Sequence, residues 1–240
     1  MLNTQGDVTK EVLAKEFLDI ENFENIKKYL LPKLINHKAN QSIILNMPYM
    51  EVEDLVVIYQ IFIPEWRGKA DPIAVTNQLM RLWGVELETL HVLAMENNLK
   101  NFPPILKTMK DIWLEISDRK SGVNYFTNKE LFLKQDRDVM YVLNNRGNLF
   151  AAVNILYPEI LKSMIEVFPD GYYILPSSVH ELIILPKREK RIPSVNELLE
   201  IVRSINSKEV AMDEVLSNAI YEYTKGDERF RLVNSDSFNV

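Results

Sequence analysis

The sequence predicts an α+β protein: a mainly helical N-terminal half around one buried central strand, then an antiparallel sheet with helices on one face in the C-terminal half, in the order ββαββα. Two patterns carry this expectation. Apolar residues recur at helical spacing from Thr9 to Leu34, and after residue 138 short runs rich in β-branched and aromatic residues alternate with helical ones.

The first run includes Val12, Leu13, Phe17, Ile20, Phe23, Ile26, Leu30 and Leu34, which predicts two amphipathic helices with a break near Asp19 to Asn22. The run Leu55 to Ile63 reads as a strand buried on both faces and central in its sheet. Thr76 is placed to cap a helix over Asn77 to Trp83 that stops at Gly84, and a second helix follows over Glu86 to Asn97. The prolines of Phe102-Pro103-Pro104 forbid a helix interior and predict an extended segment.

Residues 118–137 are charged, rich in turn formers and without sustained period, so the chain is divided into a helix-rich α+β region over 1–117, a linker over 118–137 and an α+β domain over 138–240. In the last of these, Val139 to Leu143 and Leu149 to Val153 flank Asn144-Asn145-Arg146-Gly147-Asn148 and predict a hairpin. Pro158 opens a helix to Phe168. Strands follow at Tyr172 to Leu175 and Val179 to Leu185, then a helix from Val195 to Ile205 with a Ser194/Glu197 capping box, then short strands around Ala219 to Tyr223 and Arg229 to Val233.

Composition removes several functions. With 240 residues and no cysteine there is no disulfide, no thiolate metal site and no cysteine nucleophile. His37, His91 and His180 are far apart, so no metal or other cofactor is expected. A net charge of −6 disfavours a surface built for phosphate backbones. No apolar run is long enough to span a bilayer, and Met1 to Lys10 lack a basic start followed by an apolar stretch, so no membrane is expected and the expected address is the cytoplasm.

Three groups of side chains could carry chemistry. Ser177, Ser178, His180 and Glu181 put hydroxyls, an imidazole and a carboxylate within one short segment, the raw material of a serine/histidine hydrolase. Side by side on a strand, however, Ser178 and His180 would not aim at one another, and the preferred reading is turn hydrogen bonding and packing. Lys187, Arg188, Lys190 and Arg191 lie between Pro186 and Pro193 as a basic loop that could meet nucleic acid, although a solvated loop is the simpler account. Tyr157 stands before Pro158, where that helix start and the Pro176-Ser177-Ser178 turn are expected to share a rim suited to an anion.

Met140-Tyr141-Val142-Leu143, Leu156-Tyr157-Pro158, Tyr173-Ile174-Leu175-Pro176-Ser177-Ser178-Val179-His180-Glu181 and Glu214-Val215-Leu216-Ser217 resemble a bacterial family called domain of unknown function 5688. Lys33-Leu34-Ile35-Asn36, Asp54-Leu55-Val56-Val57 and Trp83-Gly84-Val85 extend the similarity to about residues 22–223. The resemblance implies no activity. It implies a longer N-terminal region in similar chains, so that this chain is either a reduced version or lacks part of a sheet, in which case the first half exposes an edge that a partner covers, and it implies an association with mobile elements and phage–host conflict. The functional expectation is therefore a non-enzymatic protein-binding or regulatory protein, in one form an inhibitor of a host defence nuclease.

Overall fold

The computed structural model describes residues 19–64, 71–118, 122–128, 130, 140–176, 178–187 and 193–233. The chain divides into two compact units, one of Met1–Lys33, Asn40–Met50 and Val57–Asn101, the other of Leu34–Ala39, Glu51–Val56 and Phe102–Val240. The class is α+β with two antiparallel sheets, but the N-terminal half is not mainly helical.

The chain departs from the predicted helix at residue 30. Helix α1, Phe23–Ile26, is one turn long and is followed by a 3-10 turn, Lys27–Tyr29, and by strand β1, Leu30–Asn36. Pro32 is the reason. It has no N–H for a helix and pushes Leu31 to extended geometry, and a missing donor is tolerated on an edge strand, which β1 is. Of the two predicted helices the second is thus replaced, and the first, before Asp19, lies outside the described residues.

Strand β3, Leu55–Ile61, is buried along its whole length and central, as its β-branched run predicts. It follows β2, Met50–Val52, and pairs at its far end with β4, Ile73–Ala74, through Gln60↔Ala74 and Ile61↔Ile73. One-turn helix α2 is Gln41–Ile44. Helix α3, Asn77–Trp83, is capped by Thr76, whose hydroxyl accepts from the Leu79 N–H, and ends at Gly84 with φ 63°. Helix α4, Leu87–Asn101, follows, and its Asn97 amide donates to the carbonyls of Lys27 and Leu30.

The second unit is built on a six-stranded sheet ordered β10-β9-β7-β8-β6-β5. Its strands are β5 (Pro104–Thr108), β6 (Tyr141–Asn145), β7 (Tyr172–Leu175), β8 (Leu182–Pro186), β9 (Tyr221–Tyr223) and β10 (Arg231–Leu232). Helices α5 (Met109–Asp118), α6 (Pro158–Val167) and α7 (Val195–Lys208) complete it.

Two expectations for this unit are overturned. The element order is β6, a 3-10 helix over Ala151–Leu156, α6, β7, β8, α7, β9 and β10, with no hairpin between 139–143 and 149–153. The Asn145 side chain decides this: its Oδ1 accepts the N–H groups of Gly147 and Leu149 while its Nδ2 donates to the Leu149 carbonyl. Those backbone groups are satisfied by one side chain instead of a second strand. Gly147 is required for a different reason, because a Cβ there would fall 2.3 Å from the Phe102 ring. The edge left open on β6 is taken by β5, in register Leu106↔Leu143.

Nor do the helices share one face. The pairs Tyr173↔Leu185 and Leu175↔Ile183 place these residues on the face where Leu198 and Val202 of α7 complete a core with Ile220 and Val233. Successive residues of a strand point to opposite faces. Tyr172 therefore lies on the other face, where its hydroxyl donates to the Leu161 carbonyl of α6 and Phe168 packs between Tyr141 and Tyr172 at ring separations of 4.9 and 5.9 Å.

Leu198 fills the α7 core while Ser194 only caps the helix, so Leu198→Ala should cost about 2–5 kcal/mol and Ser194→Ala about 1 kcal/mol in urea unfolding followed by circular dichroism. Equal losses would show that α7 is held by its cap and not by the sheet.

Candidate functional site

Helix α5 presents the feature of the second unit that its own packing does not use. Met109, Trp113 and Ile116 are 38%, 68% and 78% exposed. Spaced i, i+4, i+7, they form one stripe along the helix. Single exposed apolar residues are ordinary; a tryptophan and an isoleucine one turn apart on one face are a surface that water solvates poorly. Met140, 41% exposed, belongs to the segment whose carbonyl accepts the Met109 N–H.

Polar contacts on other sides of α5 hold it in place. Thr108 caps the helix, its hydroxyl accepting from the Asp111 N–H at 2.9 Å and donating to the Asp111 carboxylate at 2.7 Å. Tyr125 donates to the same carboxylate at 3.1 Å. Lys107 on β5 reaches both Glu115 oxygens at 2.7 and 2.8 Å, and the Gly122 N–H donates to Glu115 as well. Burial raises the Glu115 pKa, but the bonds from Lys107 and Gly122 and the lysine's charge outweigh it and leave the carboxyl below its ordinary value. The stripe is thus carried on a tethered helix, which limits the ordering cost of binding to it.

The residues that the sequence singles out are placed differently. Ser177, Arg188, Lys190 and Arg191 lie outside the described residues. Ser178 is buried and its Oγ accepts from the His180 backbone N–H at 3.1 Å. His180 stacks on Phe150 at 5.6 Å, its Nδ1 accepts from the Phe150 N–H at 3.3 Å, and its Nε2 lies 3.5 Å from Glu214. An Nδ1 that accepts leaves the proton of a neutral ring on Nε2, facing that carboxylate. Phe150 has φ 50°, a left-handed conformation costly for a residue with a side chain, and this hydrogen bond and ring stack help to hold it there. Glu181 is partly buried, and burial raises its pKa. Tyr157 is buried, and at the start of the 3-10 helix that ends at it the Ala152 N–H donates to the Val179 carbonyl. Lys187 is held by Glu222 at 2.6 Å, with its ammonium 4.8 Å from the Tyr173 ring centroid.

The sequence does not reveal that Asp54, in the β2–β3 turn, accepts from the Ser217 hydroxyl at 2.6 Å and from the Tyr221 hydroxyl at 2.5 Å. Burial, and then the Asp54 charge, push the Tyr221 phenol far above its ordinary value, so Tyr221 is a fixed donor. The only available signal was that Asp54 and Ser217 both stand in segments resembling the same family. Among the described residues no group of three or more His, Asp or Glu could hold a metal ion, and no helix is long and apolar enough to cross a membrane.

Residues 5–225 match the model of a family described as a family of unknown function, DUF5688. The chain belongs to this family. No curated protein and no solved structure matches it. The DUF5688 match covers the tether of α5, the His180 contacts and the Asp54–Ser217–Tyr221 cluster alike.

A carboxyl whose folded pKa is depressed contributes stability above its unfolded value, near 4.5, and loses that contribution as pH falls through the folded pKa. The stability difference between the wild type and Glu115→Gln should therefore be largest at neutral pH and shrink on acidification below that value. Chemical denaturation across pH 7 to 3 measures it; a difference independent of pH would mean the tether carries no charge contribution.

Proposed function

We propose that this member of DUF5688 is a non-enzymatic binding protein that engages a protein partner through the α5 stripe. The observation that supports this reading is the joint exposure of Trp113 and Ile116 on a helix already fixed by Lys107, Thr108 and Tyr125. Tryptophan and bulky aliphatic residues at the centre of a patch are the side chains that dominate protein interfaces when desolvated, commonly at 2 kcal/mol or more for an anchor. A helix face read as i, i+4, i+7 also fits a groove in a partner.

The polar clusters favour binding over catalysis. The His180 nitrogens face the Phe150 N–H and Glu214, and the Ser178 oxygen takes the His180 backbone N–H, so neither has the mutual geometry that nucleophilic activation requires. Inhibition of a host defence nuclease is the narrower form that the family resemblance suggests.

The test is capture of partners from host and phage-infected lysates with the wild type and with Trp113→Ser/Ile116→Ser. Partners retained by the wild type should be lost by the double variant while its far-ultraviolet circular dichroism is unchanged. Identical capture by both proteins removes the stripe from the interface, and efficient turnover of a substrate by the purified chain contradicts the non-enzymatic reading.

A further inference from the structure

Among the described residues, positive φ without glycine occurs at Glu53, Asn148 and Phe150, and the last two frame one short turn after β6. Asparagine tolerates this conformation, whereas a phenylalanine keeps it only where its surroundings impose it. His180 supplies part of that constraint. Its Nδ1 accepts the Phe150 N–H at 3.3 Å, and its ring stacks on the Phe150 ring at 5.6 Å. The backbone ties the same segments together: the Ala152 N–H donates to the Val179 carbonyl, and the Val179 N–H to the Glu214 carbonyl. The imidazole therefore stands between the turn that it holds and the Glu214 carboxylate, 3.5 Å from Nε2. Its side chain is 29% exposed, so protons reach it from water.

The two ring nitrogens answer a proton in opposite ways. Neutral imidazole has one acceptor nitrogen; imidazolium has none, because both nitrogens then carry hydrogen. Protonation sets an Nδ1–H against the Phe150 N–H, two donors in contact, while Nε2–H gains a full charge opposite Glu214. The segment 149–152 brings no ionisable side chain to the ring. The segment 211–217 brings Glu214 and the exposed Asp213. Glu181, next in the chain, is partly buried, and burial raises its pKa, which weakens it as a counter-charge on acidification. Glu214 thus favours the charged ring, and the charged ring gives up the bond to Phe150.

We infer that His180 is a proton-operated latch on the Phe150 turn: neutral, it holds Phe150 in the left-handed conformation; protonated, it transfers its hold to Glu214 and releases the turn. Release uncovers the Phe150 side chain, which is 5% exposed when held, and loosens the bond from the Val153 N–H to the Phe150 carbonyl at the start of the 3-10 helix. The latch is independent of the α5 stripe and needs no partner.

Nuclear magnetic resonance titration of the full chain from about pH 7.5 to about pH 5, a range that brackets the ordinary histidine value, tests this at the His180 ring nitrogens and the Phe150 amide. Ring and amide should share one midpoint. Across it the protection of the Phe150 amide against hydrogen exchange should fall about tenfold, as for one lost hydrogen bond, while the Leu198 amide on α7 keeps its own. Glu214→Gln should move both midpoints together to lower pH. His180→Asn puts an amide oxygen near the place of Nδ1 and takes up no proton, so its Phe150 amide should stay protected and insensitive to pH. The latch is overturned by a Phe150 amide that does not follow the ring, by an equal response in His180→Asn, or by a ring that stays neutral to the end of the titration. Loss of protection at Phe150 and Leu198 together is general unfolding and overturns it as well. If His180→Asn does not fold, Glu214→Gln decides alone: midpoints that separate overturn the latch, and midpoints that move together support it.

Discussion

The second unit is governed by a sheet whose central strands are apolar on both sides. Tyr172, Ile174, Leu182 and Ile184 face one way, Tyr173, Leu175, Ile183 and Leu185 the other, and each set has to be removed from water. At about 25 cal/mol per Å² of apolar area, neither face is stable exposed. Helix α6 with Phe168 therefore covers the tyrosine side, and α7 with Ile220 and Val233 covers the leucine side. Helix α5, which follows the edge strand β5, joins the unit by tethers from Lys107 and Thr108, and this frees Trp113 and Ile116 from duty in the core.

The same constraint assigns the buried polar groups. Where chain segments turn beside a covered sheet their backbone N–H and carbonyl groups lose water, and side chains have to replace it. Asn145 and the His180 ring do this for the segment after β6, Ser178 for the segment between β7 and β8, and Asp54 gathers the hydroxyls of Ser217 and Tyr221. These are the residue types that also do catalysis, which is why their density along the sequence between Ser177 and Glu181 suggests an active site. In three dimensions the Ser178 oxygen and the His180 Nδ1 are directed at backbone N–H groups.

Much of the fold is legible in the sequence where local chemistry and tertiary packing agree. The buried run of β3, the Thr76 and Gly84 ends of α3, the Ser194/Glu197 capping box and the pairing of β7 with β8 follow from residue pattern alone. Failures occur where one residue outweighs a pattern. Pro32 converts a helically spaced run into β1, and Asn145 converts a hairpin signal into a turn towards a 3-10 helix. The covering of both sheet faces was hidden for another reason: alternation shows that a strand has two apolar faces, and only the order of the strands shows which helix meets which. The α5 stripe was equally out of reach, since Trp113 and Ile116 have the spacing of any core-facing helix and only the placed structure shows them in water.

The account depends most directly on the imidazole of His180 being committed to structure. Long-range nitrogen–proton correlation spectra of the uniformly labelled protein at neutral pH read the protonation of each ring nitrogen. The contacts to the Phe150 N–H and to Glu214 predict a neutral ring with the proton on Nε2 and an unprotonated, hydrogen-bonded Nδ1. A ring protonated on Nδ1 with Nε2 bare would contradict it, because that nitrogen would then be an available base and the non-enzymatic part of the reading would lose its support.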